Sequence, residues 1–160
     1  MNRQDYPMLN LPPAALKLRA PESEQHRPGV YDPLRKRWVS LTPEEWVRQH
    51  FVAMLVNEKH YPAALMANEI GIKLNATSRR CDTVVFNRVK EPWMIVEYKA
   101  PDVEITQQTF DQIVRYNMVL RARYLVVSNG LSHFCCAMDY ENHSYRFIPE
   151  IPEFNQLPVE

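Results

Sequence analysis

Two short segments decide how this chain folds: Arg80-Cys-Asp-Thr-Val-Val-Phe86 and Trp93-Met-Ile-Val-Glu-Tyr-Lys99. Both are rich in β-branched and aromatic residues, which favour β-strands, and the six residues between them suit a hairpin turn. If the end of the first segment lies opposite the start of the second, the antiparallel register also places Asp82 opposite Glu97. Because strand side chains alternate between the two faces, we expect Asp82, Glu97 and Lys99 on a single face of the sheet.

Two carboxylates and an ammonium group are unusual in so apolar a hairpin, because a buried charge is costly unless it is paired or bound to a metal. Two carboxylates at one point suit a hard divalent cation such as Mg²⁺, which prefers oxygen ligands and keeps waters for a substrate phosphate. Lys99 would then orient and help deprotonate a metal-bound water, or stabilise the charge of the transition state. The alternative is a structural salt bridge between Lys99 and either Glu97 or Asp82.

Composition narrows the class of protein. Of the 160 residues, 46% are apolar and 24% charged, and 19 basic residues balance 19 acidic ones, which is typical of one soluble globular domain. With only three isolated glycines, the chain contains neither a phosphate-binding P-loop nor a GxGxxG turn, so we expect no nucleotide cofactor. Three cysteines without CxxC spacing and the lack of a long apolar segment predict a cytoplasmic protein with no membrane partner.

The residues before the hairpin predict a helix and a strand. Thr42-Pro-Glu-Glu45 is typical of a helix start, with Thr42 as the N-cap and Glu45 placed to close a capping box. Apolar residues at helical spacing extend this helix to about Lys59. Alternation over 68–74 then predicts a strand ahead of the hairpin.

The residues after the hairpin predict a helix and a parallel strand. Thr106 caps this helix, which is expected to end near Arg121 or Arg123, and the strand follows over 124–128 in a right-handed βαβ crossover. Turns at Asn129-Gly130 and 141–143 are predicted to separate further strands over 132–138 and 145–148. The predicted fold class is therefore α/β, with a mixed central sheet made of a three-stranded antiparallel meander and a βαβ crossover, flanked by helices.

Both ends of the chain are rich in proline and charge. Residues 1–41 are expected to form an N-terminal arm that wraps the core, with one short strand at 16–18 and a short hairpin over 29–41. Residues 149–160 are expected to form a loosely held C-terminal tail.

In their order along the chain, these motifs resemble the PD-(D/E)xK nuclease superfamily, and more narrowly the N-terminal nuclease region of type I restriction enzyme R subunits. The residues that carry the resemblance are Asp82, Glu97-Tyr-Lys99, Gln112-Ile-Val-Arg-Tyr116 and Ser128-Asn-Gly130. The resemblance covers about residues 42–138 and departs from the nominal motif at Cys81, which stands where the motif has proline. It implies a restriction-endonuclease-like core, which we assign to residues 42–148.

The resemblance also implies an activity, namely Mg²⁺-dependent hydrolysis of phosphodiester bonds in DNA. Asp82 and Glu97 would be metal ligands, Lys99 would belong to the catalytic set, and Mn²⁺ is expected to substitute for Mg²⁺. The superfamily often uses one more acid, for which Glu45 matches best and Glu69 is the alternative. A capping box would by itself account for Glu45.

Gln112 and Tyr116 are four residues apart, so they share one face of the second predicted helix, which is expected to face the strand ending in Lys99. The resemblance implies that both belong to the active site and bear on the DNA backbone. The alternative is that Tyr116 is an amphipathic core residue and Gln112 its solvated neighbour.

A nuclease domain with zero net charge needs a local basic groove to bind DNA. The candidate residues are Lys73, Arg79, Arg80, Arg115, Arg121 and Arg123. The resemblance to R subunits stops where their motor would begin, so partner subunits from restriction or defence are expected. The leading hypothesis is a metal-dependent DNA endonuclease domain. The alternative is a nuclease-fold module that binds DNA or protein with little activity in isolation.

Overall fold

A computed structural model describes residues 5–156, which form two sheets and two α-helices. The smaller sheet is antiparallel and contains β1 (Leu18–Arg19), β2 (Gly29–Asp32) and β3 (Arg37–Ser40). The larger sheet contains, in spatial order, β4 (Met66–Leu74), β5 (Thr77–Phe86), β6 (Pro92–Tyr98), β7 (Tyr124–Ser128), β8 (His133–Asp139) and β9 (Ser144–Ile148). Among the strands of the described residues, only β6 and β7 are parallel neighbours, so the predicted α/β class with a meander and a crossover is confirmed.

The first helix, α1 (Pro43–Asn57), begins as predicted after Thr42, whose Oγ1 accepts a hydrogen bond from the Glu45 amide at 3.1 Å. The predicted capping box is wrong, because the Glu45 carboxylate is buried and binds Arg35 and Arg48 instead. A charge-assisted hydrogen bond from Arg35 together with an ion pair with Arg48 is stronger than a bond to one backbone amide, which explains this choice of partner.

The second helix, α2 (Gln107–Asn117), begins after the predicted cap Thr106 and continues into a 3₁₀ turn, Met118–Leu120. Arg121 has a left-handed backbone conformation with φ of 53°, which ends the helical segment near the predicted position. The chain then enters β7, which pairs parallel with β6, so α2 forms the predicted crossover between these two strands.

The large sheet is covered on both faces. On one face, Phe51 of α1 lies in an apolar cluster with Val96, and on the other face, Phe110 of α2 lies in a second cluster with Ile95. Residues 94–96 are fully buried as a result. Strand β6 therefore lies between the two apolar clusters of the core. A polar side chain at the end of β6 is held in place by this packing.

The register of the β5–β6 hairpin agrees with the predicted one over most of its length. Thr83 pairs with Val96, and the two following pairs keep the same register. The pairing shifts near the turn, so Phe86 lies opposite Pro92 rather than opposite Trp93 as predicted. This bulge lies at the turn end of the hairpin, so the pairs formed by residues 83–85 keep the predicted register.

The N-terminal arm packs against the core. The Trp46 indole donates to the Pro7 carbonyl at 2.9 Å, the Asn10 amide donates to the Gly130 carbonyl at 2.8 Å, and the His133 ring lies 2.8 Å from the Asn10 carbonyl. The short strand predicted at 16–18 is shifted to Leu18–Arg19.

The C-terminal segment also packs on the core, so the expectation of a loosely held tail is wrong for residues 151–154. The buried Tyr61 hydroxyl donates to the Pro152 carbonyl at 2.6 Å, and the Phe154 ring lies 5.7 Å from the Tyr61 ring. A buried phenol requires a hydrogen-bond acceptor, and the tail provides it. The parts of the arm and tail predictions that concern residues 1–4 and 157–160 lie outside the described residues.

Replacing Gly130 tests how the arm is held. Gly130 has φ of 85°, and a Cβ there would lie 2.7 Å from Leu9 Cδ2, so Gly130→Ala should lower the free energy of unfolding by about 1–2 kcal/mol. Gly71→Ala is the matched control, because a Cβ at Gly71 meets nothing within 4 Å. Urea unfolding measures both variants, and equal losses for the two would contradict this explanation.

Candidate active site

Asp82, Glu97 and Lys99 come together at the carboxyl end of β6. Asp82 and Glu97 directly flank the last ladder pair of β5 and β6, Thr83–Val96. The amide of the intervening Tyr98 donates to Asp82 Oδ2 at 2.9 Å. The side chains of Asp82 and Lys99 both lie close enough to shift the pKa of the Glu97 carboxyl group, so the structure brings the three residues together as the sequence predicts.

The carboxyl group of Glu97 is in an unfavourable environment for a negative charge. Its Oε1 atom is buried and has no hydrogen-bond partner in the described part of the chain. Burial, followed by the charge of neighbouring Asp82, raises the pKa of Glu97 well above its usual range, and Lys99 and Asn117 only partly oppose this. The pair of carboxylates therefore lacks the positive charge that would let both ionise.

Lys99 does not supply that charge by direct contact. None of the ion pairs that the structure shows within residues 5–156 joins Lys99 to Asp82 or Glu97. The backbone of Lys99 is fixed instead by its amide, which donates to the Ser128 carbonyl on β7 at 2.9 Å. The structure therefore does not show the salt bridge that was the alternative explanation for the three residues.

Asn117 is a site residue that sequence reasoning missed. It ends α2, is 5% exposed, and lies close enough to Glu97 to lower the pKa of that carboxyl group. Its Nδ2 also donates to the Ile113 carbonyl at 2.9 Å, which holds the side chain in place. The available signal was a polar residue on the apolar face of a helix.

Tyr116 and Gln112 are placed differently from the prediction. Tyr116 is 45% exposed and lies against β5, where the Arg79 guanidinium stacks 4.6 Å from its ring and the Arg80 amide lies 3.4 Å from its hydroxyl. Gln112 is exposed. The buried stripe of α2 contains Phe110, so Gln112 and Tyr116 lie on the exposed side of the helix. The contacts of Tyr116 are with β5 rather than with the strand ending in Lys99. An exposed Tyr116 is also not a core residue.

The two acids considered as additional metal ligands are both bound to arginines. Glu45 forms ion pairs with Arg35 and with Arg48 Nε, the latter at 3.3 Å. Glu69 binds Arg48 Nη2 at 2.6 Å and Arg80 Nε at 3.0 Å. Among residues 5–156, no group of three His, Cys, Asp or Glu side chains is arranged to hold a metal ion. The oxygen donors of the candidate site are thus those of Asp82 and Glu97.

These ion pairs belong to a buried polar network that the sequence did not reveal. It starts at Asp32, which is fully buried and binds Arg35 and the Asn68 amide, the latter at 3.0 Å. Burial alone would raise the pKa of Asp32, but hydrogen bonds from Asn68, Arg35 and the Leu34 amide hold it below its usual range. The network links the β2–β3 hairpin to α1 and to the large sheet.

The candidate DNA-binding residues divide into two groups. Lys73, Arg79 and Arg80 lie on the β4–β5 hairpin, which continues past the end of β6, and Arg115 is exposed on α2. The remaining two candidates, Arg121 and Arg123, lie at the opposite end of the sheet.

The placement of Arg121 and Arg123 in one groove with the hairpin arginines is wrong. The Arg123 guanidinium lies over the ring of Trp93 at the start of β6, and the Arg121 guanidinium lies over Tyr140. Parallel strands β6 and β7 start at one edge and end at the other, so the four residues from Trp93 to Glu97, about 13 Å of strand, separate Arg123 from the carboxylates.

These features define an α/β domain with an acidic site at the end of its central strand. The chain matches the sequence profile of the family described as type I restriction enzyme R protein N terminus over residues 43–152, which is 110 of its 160 residues. It therefore belongs to this family, and the resemblance to the N-terminal region of R subunits is confirmed. No curated protein matches the chain.

Membership of this family associates the chain with restriction and with a nuclease-like role. It also associates the chain with two kinds of partner, DNA and other restriction subunits. No helix within residues 5–156 is long and apolar enough to span a membrane.

Replacing Glu97 with glutamine tests the electrostatics of the site. Because the pKa of Glu97 is raised in the fold, the folded state keeps a proton that the unfolded state loses. The free energy of unfolding then falls as the pH rises from the ordinary glutamate value, about 4.3, toward the raised pKa. In EDTA, Glu97→Gln should melt about 3 °C or more above the unsubstituted protein at pH 8, and this gap should shrink toward pH 5.

Glu141→Gln serves as the control, because Glu141 is an exposed glutamate on the turn between β8 and β9. This variant should have the same melting temperature as the unsubstituted protein at both pH 5 and pH 8. A gap for Glu97→Gln that stays constant from pH 5 to pH 8 would contradict the description of Glu97.

Proposed function

We propose that this protein is a metal-dependent DNA endonuclease domain that hydrolyses phosphodiester bonds in restriction or defence. The observation that carries the proposal is the buried Oε1 of Glu97 next to Asp82, at the end of the central strand, which has no hydrogen-bond partner within residues 5–156. A divalent cation would provide both the missing partner and the missing positive charge.

The donor set fits Mg²⁺. This ion is usually held by one or two carboxylates and completes its shell with waters and substrate phosphates, so Asp82 and Glu97 suffice as protein ligands. Mn²⁺ accepts the same oxygen ligands and is expected to substitute. When bound, such a cation lowers the pKa of a coordinated water and neutralises charge on phosphoryl oxygens. Glu45 and Glu69 would remain with their arginines.

Lys99 has a separate task in this proposal. Its ammonium group lies close enough to act on Glu97 but forms no ion pair with either carboxylate among the described residues. An ammonium group in this position orients the attacking water and stabilises the negative charge that develops on the phosphate.

The groups proposed to hold DNA lie on the β4–β5 hairpin, beyond the carboxylates, and on α2. Lys73, Arg79 and Arg80 project from the β4–β5 hairpin and Arg115 from α2, where they would contact phosphates. Tyr116 carries the Arg79 guanidinium on its ring at 4.6 Å. We therefore assign Tyr116, and Gln112 on the same exposed side of α2, to contacts with the DNA backbone.

A second function is a nuclease-fold module that binds DNA or other restriction subunits with little activity in isolation. The observation that favours it is the engagement of Glu45 and Glu69 by Arg48, which leaves two carboxylates at the site. The two functions differ in one measurement, because only the first nicks plasmid DNA in the presence of Mg²⁺ or Mn²⁺.

Replacing Lys99 tests the catalytic proposal. Lys99→Ala should lower the rate of plasmid nicking by about two to four orders of magnitude, the usual loss for a group that acts in proton transfer or charge stabilisation. Mn²⁺ affinity should change little, since the ligands are carboxylates. Arg88→Ala, an exposed cation on the β5–β6 turn, is the control and should nick normally. Equal rates for Lys99→Ala and Arg88→Ala would remove Lys99 from the catalytic set, and no nicking by the unsubstituted protein would favour the binding module.

Two double variants test the DNA surface, each removing two positive charges. Arg79→Ala with Arg80→Ala should weaken DNA binding at least about tenfold and lower the slope of log affinity against log salt by about 2, because two phosphate contacts are lost. Arg121→Ala with Arg123→Ala removes the same charge from the opposite end of the sheet and should change both quantities little. Fluorescence anisotropy over a salt series measures them, and equal losses for the two pairs would refute the assignment.

A further inference from the structure

We infer that Arg48 is a positioning residue that holds Asp82 in the geometry needed for a divalent cation, an inference that rests on the proposed function. Arg48 lies on α1 and is 5% exposed. Its Nη1 donates to the Asp82 carbonyl at 2.9 Å, its Nη2 binds Glu69 at 2.6 Å, and its guanidinium lies 5.6 Å from the Tyr98 ring. One side chain thus contacts β5, β4 and β6.

The strand pairing at Asp82 is irregular, which explains why a side chain is needed there. The β4–β5 ladder contains the pairs Asn68–Thr83 and Ile70–Cys81 but skips the intervening pair, Glu69 with Asp82. Glu69 has φ of 52°, a left-handed conformation that is uncommon for a non-glycine residue in a strand. At this break in the ladder, the Asp82 carbonyl accepts its hydrogen bond from Arg48.

Asp82 is held through its side chain as well. Its Oδ2 accepts from the Tyr98 amide at 2.9 Å, and the Tyr98 hydroxyl donates to Thr83 Oγ1, also at 2.9 Å. The guanidinium of Arg48 fixes the backbone of the same residue from the other side. The carboxylate of Asp82 therefore keeps one direction, toward Glu97.

The positive charge of Arg48 is balanced by Glu45 and Glu69 within the core. Arg48 can therefore hold Asp82 without repelling a cation bound there. Glu45 lies 3.3 Å from Arg48 Nε, and Glu69 binds Nη2. Two nitrogen atoms of one planar group thus donate hydrogen bonds to Asp82 and Glu69, while the third lies within ion-pair distance of Glu45. A lysine has a single ammonium nitrogen on a flexible stem and does not reproduce this fork.

The test compares Arg48→Lys with Arg35→Lys. Arg35 belongs to the same buried network and binds Asp32 and Glu45, but no contact in residues 5–156 joins it to Asp82. In metal-free protein, the Tyr98 amide, which donates to Asp82, should exchange its hydrogen about tenfold faster in Arg48→Lys, measured by NMR relative to Val126 on β7. Mn²⁺ affinity, measured by isothermal titration, should fall about 10-fold to 100-fold, the usual effect of losing a group that supports a metal ligand.

In Arg35→Lys, both the relative exchange of the Tyr98 amide and the Mn²⁺ affinity should stay near those of the unsubstituted protein. Unchanged Tyr98 exchange in folded Arg48→Lys would overturn the inference. If Tyr98 exchanges faster in Arg48→Lys but the unsubstituted protein does not bind Mn²⁺, the proposed function is refuted while Arg48 is still shown to hold Asp82.

A milder variant keeps the inference testable if Arg48→Lys does not fold. Glu69→Gln retains Arg48 and removes one of its two ionic partners, so Tyr98 exchange should accelerate about threefold relative to Val126. No acceleration in Glu69→Gln would then overturn the inference.

Discussion

The repulsion between the carboxylates of Asp82 and Glu97 is the constraint on which the candidate site of this protein depends. Glu97 follows the fully buried residues 94–96 of β6, and Asp82 of β5 lies beside it. One oxygen atom of Glu97 has no hydrogen-bond partner in the described residues. Such a pair destabilises the fold unless a proton or a cation neutralises it. The packing of α1 and α2 on opposite faces of the sheet holds the pair in this unfavourable position.

The arginines beneath the site explain how the fold tolerates so many buried acids. Arg35 joins Asp32 to Glu45, and Arg48 joins Glu45 to Glu69, so these carboxylates are neutralised by fixed partners. Asp82 and Glu97 have no such guanidinium partner in the structure of residues 5–156. This contrast separates acids that hold the domain together from acids available for a ligand.

Sequence spacing predicted the elements whose formation is local. The β5–β6 register was predicted correctly over 83–85, although the pair from which it was derived, Phe86 with Trp93, is not formed. The caps at Thr42 and Thr106 followed from N-cap chemistry. The partners of buried charges were not predictable, because Glu45 had a complete local explanation and its choice of Arg35 and Arg48 depends on tertiary contacts. The same holds for the sheet edge at which each arginine lies, which follows from how the parallel crossover packs rather than from spacing.

The most direct test of the central claim is anomalous diffraction from crystals of the protein soaked in Mn²⁺. We expect a peak within about 2.1 Å of one carboxylate oxygen each from Asp82 and Glu97, the distance typical of a small divalent cation. The same soak of an Asp82→Asn, Glu97→Gln crystal should show no peak there. A peak only at other acids, or none in the unsubstituted protein, would contradict the claim that these two residues form a metal site.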